Sequence, residues 1–442
     1  MTALLAASDN GHEAAVKLLL SHCDIDVNTQ TKSGLTALYA ASNNGHGAVV
    51  ELLLSHRDIA VNTQTENGWT ALSSASDNNH EAVVKLLLSH CDVAINTQTK
   101  SGLTALYAAS DNGHEAVVKL LLSHRDVAVN TQTENGWTAL SAASNNGHEA
   151  VVKLLLSHHD VAINTQTEAG VTALFAASDN GHGAVVKLLL SHHNVAINTQ
   201  TENGWTALSA ASDSGHEAVV KLLLSHHNVA INTQTKSGFT ALIAASGKGH
   251  EAVVELLLSH CDVAVNTQTE NGWTALSMAS DNGHGAVVKL LLSHHNVAVN
   301  IQTENGLTAL YAASNNCHEA VVKLLLSHCD VAINTQTKNG WTALSAASTN
   351  GHEAIVKLLL SDRHIAVNTQ TETGWTALSA ASNNGHEAVI KLLLSCSDII
   401  INTQTKGGQT ALSAASKNGH KRVVELLFCS SQYIGVRELG PN

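Results

Sequence analysis

The residues of this chain whose types could do chemistry are its histidines, 28 in all, and the serines and aspartates beside them. Ser157, His158, His159 and Asp160 stand in one run, and such a run suggests either a nucleophile with its base or a metal site. Both need convergence. Zinc holds its ligands about 2 Å away, and consecutive residues copied on rungs about 10 Å apart do not meet at one ion without folding back. A catalytic constellation is one contact set in a pocket, whereas every Ser, His and Asp here is repeated in register. Thirteen histidines follow polar turns, from His12, His46 and His80 to His420. Ten follow a serine, from His22 and His56 to His328, and His159, His193, His227 and His295 double four of them. The singular residues Met278, Cys317, Lys248, Asp362 and Ile301 form no motif. No catalytic residue, metal ligand or cofactor is therefore expected, and the chain by itself is read as not an enzyme.

A binding surface is the other chemistry on offer. Trp69, Trp137, Trp205, Trp273, Trp341 and Trp375 each follow a glycine at the end of a polar turn, and tryptophan is enriched among interface hot spots. Glu134, Glu202 and Glu270 precede three of them and make the strip acidic, so the expected protein partner is basic. The competing use is that each indole covers the start of the helix that follows it. The two uses are compatible.

The elements that position these residues recur at a fixed interval. Thr-Ala-Leu begins at Thr2, Thr36, Thr70, Thr104, Thr138 and onward to Thr410, thirteen times in steps of 34 residues. Such a period means stacked units that bury their apolar faces only against neighbours. Within one unit, Thr138 is a good N-cap for a short run containing Ala139, Leu140, Ala142 and Ala143, and Asn146 with Gly147 ends it. Glu149 then opens a second helix whose apolar band is Val151, Val152, Leu154, Leu155 and Leu156, broken by Lys153. The stretch from Ser157 to the next Thr-Ala-Leu has no helical period and reads as an extended connection closed by a tight turn. Helices this short are unstable alone, so stacking must hold them.

The repeats also alternate. The residue after the turn glycine runs Leu35, Trp69, Leu103, Trp137, Val171, Trp205, Phe239, Trp273, Leu307, Trp341, Trp375, Gln409. Four residues on, every Trp is matched by a Ser, as at Trp137 and Ser141, whereas Leu103 is matched by Tyr107 and Val171 by Phe175. Volume complementarity at the start of the helix is a physical reason for the pairing.

Helix, turn, helix and a hairpin-like finger, with Gly before Thr-x-Leu, Gly-His between the helices and Val-Val-x-Leu-Leu-Leu in the second, resembles the ankyrin repeat. Ala139 stands where that family has Pro, and Ser141 or Tyr107 where it has His. The resemblance covers residues 1–430 and implies an all-α ankyrin-repeat solenoid of about 13 helix-turn-helix units, with 431–442 as a C-terminal tail. It further implies that the turn histidines brace neighbouring loops and that a protein partner binds along the concave face. Near-identical Asn-rich arrays of this style resemble those that follow NTPase modules in fungal NACHT/NLR-like, immune-receptor-like proteins. A scaffold or sensor array in a larger protein is thus the leading expectation. A mechanical spacer and a fragment of a multidomain enzyme with its catalytic part upstream are the alternatives.

Composition points the same way. Lys and Arg number 23 against 36 Asp and Glu, a net charge of −13, which disfavours nucleic-acid backbones as partners. No apolar run approaches a membrane span and no basic-then-apolar segment opens the sequence, so an intracellular, cytoplasmic protein with no membrane association is expected. The seven cysteines are scattered, and Cys23 and Cys91 lie two repeats apart, beyond disulfide reach. The first repeat begins directly at Thr2 with no preceding finger, from which an incomplete N-terminal unit is expected.

Overall fold

The computed structural model describes residues 2–22 and 24–437; Met1, Cys23 and residues 438–442 lie outside it. Among the described residues there are twenty-six helices in thirteen pairs and no strand. The chain divides into two compact units, Met1–Ala230 and Ile231–Asn442. The first holds the seven pairs from Ala3–Asp9 and Glu13–Leu20 to Ala207–Asp213 and Glu217–Leu224. The second holds the six from Ala241–Lys248 and Glu251–Leu258 to Ala411–Lys417 and Lys421–Arg437. That last helix extends into the stretch expected as a tail.

Each first helix starts where the Thr-Ala-Leu spacing places it. Thr138 is extended, and its hydroxyl accepts from the Ser141 N–H at the start of Ala139–Asn145. Ala139, Leu140, Ala142 and Ala143 are all buried, and their small volumes let neighbouring first helices approach closely. The helix ends at Asn146, and Gly147 turns the chain with φ +73. A Cβ on Gly147 would sit 2.6 Å from His182 Nδ1, so a side chain there requires the imidazole of the next repeat to shift. Asn79 and Cys317 occupy the equivalent position at φ 62 without being glycine.

The second helix, Glu149–Leu156, has no side-chain cap and relies on Glu149 in its first turn and Lys153 in its last. Val151, Val152 and Leu155 are buried, each contributing on the order of 1.5–3 kcal/mol from removal of its side chain from water. Ile163, in the connection that follows, adds to the same core. One polar row runs through it. Ser144 and its equivalents from Ser8 to Ser382 are fully buried, with hydroxyls that have no hydrogen-bond partner among the described residues.

Candidate recognition face

The finger is a turn closed partly by side chains, which is why it carries no strand ladder. The Thr133 N–H donates to the Trp137 carbonyl at 2.9 Å, and the Trp137 N–H donates to the Thr133 hydroxyl at 3.0 Å. Gly136, at φ +82, donates to the Thr133 carbonyl, and its missing side chain leaves room for the backbone of Thr167, 2.8 Å from where a Cβ would be. Neighbouring fingers are then joined by main chain. The Glu134 N–H donates to the Ser101 carbonyl at 3.1 Å and the Glu168 N–H to the Asn135 carbonyl at 3.2 Å.

Two side-chain ladders reinforce these links. The Asn130 amide donates to the Asp160 carbonyl at 2.6 Å while its oxygen accepts from the Ala162 N–H at 2.8 Å, so one side chain clamps two backbone groups of the next repeat. Gln132 donates both to the Gly136 carbonyl in its own repeat, at 2.8 Å, and to the Gln166 carbonyl in the next, at 3.1 Å. Neither ladder is evident from sequence, although the recurring Asn-Thr-Gln carries both. The turn histidines form a third: His148 Nε2 lies 2.9 Å from the Asp111 carbonyl and His182 Nε2 2.9 Å from that of Asn145. A carbonyl can only accept, so Nε2 carries the proton there.

On this bonded comb the structure places Trp69, Trp137 and Trp205 in the first unit and Trp273, Trp341 and Trp375 in the second, all six half-buried. Glu134, Glu202 and Glu270 are exposed at the tips. In the first unit Glu134, Glu168 and Glu202 occupy three consecutive fingers. The serine partner of each Trp has a role that volume alone does not reveal. The Ser141 hydroxyl accepts from the buried Thr138 N–H at 2.8 Å, completing a reciprocal capping box. Tyr107 units form only the Thr half of that box.

The Ser-His-His-Asp run takes another arrangement from a catalytic set. The Ser157 hydroxyl donates to the Leu154 carbonyl at 2.6 Å, ending the helix, and His158 Nδ1 accepts from the Asp160 N–H at 3.4 Å. The serine proton is thus directed away from the imidazole. His158 and His159 stack with ring centroids 4.8 Å apart. Burial raises the Asp77 carboxyl, partly offset by a hydrogen bond from Asn112, and burial with nearby Asp111 pushes the Tyr107 phenol up to about 12. Burial also raises Tyr311, and burial with nearby Asp398 raises the Cys396 thiol. On the opposite helices, a shallow groove lined by Glu115, Glu149, Lys153 and Ser157 mixes both charge signs. Among the described residues, no helix is long and apolar enough to cross a membrane.

Thr-capped helix, left-handed turn, second helix and a finger bonded to its neighbour define a helical repeat protein of the kind that presents surfaces to other proteins. The model for ankyrin repeats, three copies at a time, matches residues 3–99, 90–167, 159–235, 224–303, 295–371 and 363–438. The chain belongs to the ankyrin repeat family, whose members are generally protein–protein interaction modules. No curated protein matches the chain.

Proposed function

We propose that the chain is a recognition array whose protein partner docks on the strip of finger tips and Thr-capped helices. Its anchors are Trp137 and Trp205 in the first unit and Trp273 and Trp341 in the second. The observation that carries this reading is the half-burial of all six tryptophans on fingers already hydrogen-bonded from repeat to repeat. An indole held on a rigid support loses little freedom on binding, which is what a hot spot needs. The exposed Glu134, Glu168 and Glu202 give the strip a negative field, so the partner is basic and its association slows with salt. Replacing Trp137, Trp205 and Trp273 by Ala tests this against a control in which the exposed Lys153, Lys187 and Lys221 of the second helices are replaced. The tryptophan set is expected to weaken partner capture with helix content unchanged. Capture lost with the lysine set and kept with the tryptophan set would put the binding face on the second helices.

A further inference from the structure

We infer that the His-Cys-Asp turns at 90–92, 260–262 and 328–330 bind a borderline-soft divalent cation of the zinc type, one ion per turn. The turn after each second helix folds these consecutive residues back on one another. In His90, Cys91 and Asp92 the three donor atoms all lie within 4.8 Å of one another, and the other two turns repeat this. Bonds of about 2.0–2.3 Å to a tetrahedral ion put its ligands about 3.3–3.8 Å apart. The triangle must therefore contract slightly. The exposed Cys91 and Asp92 side chains can supply that by rotation.

The imidazole is already oriented. His90 Nδ1 accepts from the Asp92 N–H at 3.3 Å, so the lone pair at Nδ1 faces into the turn. That contact is long, and an ion at Nδ1 replaces it at small cost.

A second observation concerns the aspartate. In two repeats the same turn carries arginine where these have cysteine, and there the guanidinium supplies the carboxylate with a cation. Arg57 Nε lies 3.2 Å from Asp58 Oδ2, and Arg125 Nε 3.3 Å from Asp126 Oδ2. Among the described residues, Asp92, Asp262 and Asp330 make no ion pair, and the residue beside each is an exposed thiol, a group whose deprotonated form ligates metals. Imidazole, thiolate and carboxylate together suit zinc rather than magnesium or calcium, with water in the fourth position. Binding exchanges the thiol proton for the metal, so one proton leaves per ion. The His158, His159 and Asp160 turn also converges, but there His159 Nε2 already holds Asp160 Oδ2 at 2.9 Å.

The test is a titration of the reduced full chain with Co²⁺, read by thiolate-to-cobalt charge transfer and the visible bands of a tetrahedral ion, with Zn²⁺ displacing the colour. Cys91→Ser, Cys261→Ser and Cys329→Ser are combined with Cys23→Ser, because the sequence repeats the triplet at His22, Cys23 and Asp24. The combination is expected to abolish the thiolate band, whereas Cys317→Ser with Cys429→Ser leaves it intact. Arg125→Cys in the native background is expected to add one equivalent of bound cobalt, a gain that misfolding cannot mimic. Absence of a thiolate band at millimolar cobalt, its survival in the fourfold variant, or no added equivalent with Arg125→Cys overturns the proposal.

Discussion

Substituting Ser141 by Tyr beside Trp137 separates the two causes that tie tryptophan to serine at the helix start. Ser141 is 2% exposed, so a tyrosine there must displace packed neighbours, at a cost of about 1–3 kcal/mol. The same substitution removes the acceptor of the buried Thr138 N–H, worth about 1 kcal/mol or somewhat more if that group finds no water. The single variant is therefore expected to lose about 2–4 kcal/mol, the sum of these two effects. Trp137→Leu in the same chain recreates the Leu103 and Tyr107 pairing found one repeat earlier, and it should recover the packing part but not the capping bond. The double variant should thus stay about 1 kcal/mol less stable than Trp137→Leu alone. Ser141→Ala measures the bond by itself. Urea unfolding of the four corners of the cycle gives a coupling energy of about 1–3 kcal/mol if the reasoning holds. Additive effects would refute it and leave the pairing as an echo of duplication.

Three other outcomes are expected. Cys317→Gly should raise stability by about 1 kcal/mol, because Cys317 holds φ 62 where other repeats use glycine; thermal unfolding of the two chains decides. Leu18 is 64% exposed, so hydrogen exchange should open Glu13–Leu20 well before Gly183–Leu190, and equal protection of the two helices would count against nearest-neighbour stacking as their support. The Tyr107 phenol, raised from its ordinary 10.0 to about 12, binds its proton more tightly folded than unfolded. Its contribution is undiminished below pH 10 and is lost as pH rises from 10 to about 12, so Tyr107→Phe should lessen the alkaline fall in melting temperature over that window.

The features legible in the sequence are those whose causes are local. The Thr138 cap, the Gly147 turn and the apolar spacing from Val151 to Leu155 each act within one helix or turn, and the helices fall where these signals put them. The Asn130 and Gln132 ladders were hidden because their partners lie in the next repeat, 30 to 34 residues on, and a polar residue in a loop is equally consistent with solvent. The capping role of Ser141 was hidden differently: a small residue beside a large one suggests volume, and the hydrogen bond became visible only with the N–H of Thr138 in place. Convergence of His90, Cys91 and Asp92 depends on the turn folding back, which spacing alone does not convey. Half-burial of the tryptophans suits packing and recognition alike, so sequence leaves the balance between them open.

Site-resolved photo-crosslinking tests the recognition face most directly. A photoreactive residue is placed either at the exposed fingertip Asn135 or at the exposed Lys153 of the second helix, with folding checked by circular dichroism. The account expects one basic protein to be trapped from Asn135, with a yield that falls as salt rises, and none from Lys153. Trapping from Lys153 and not from Asn135 would contradict it.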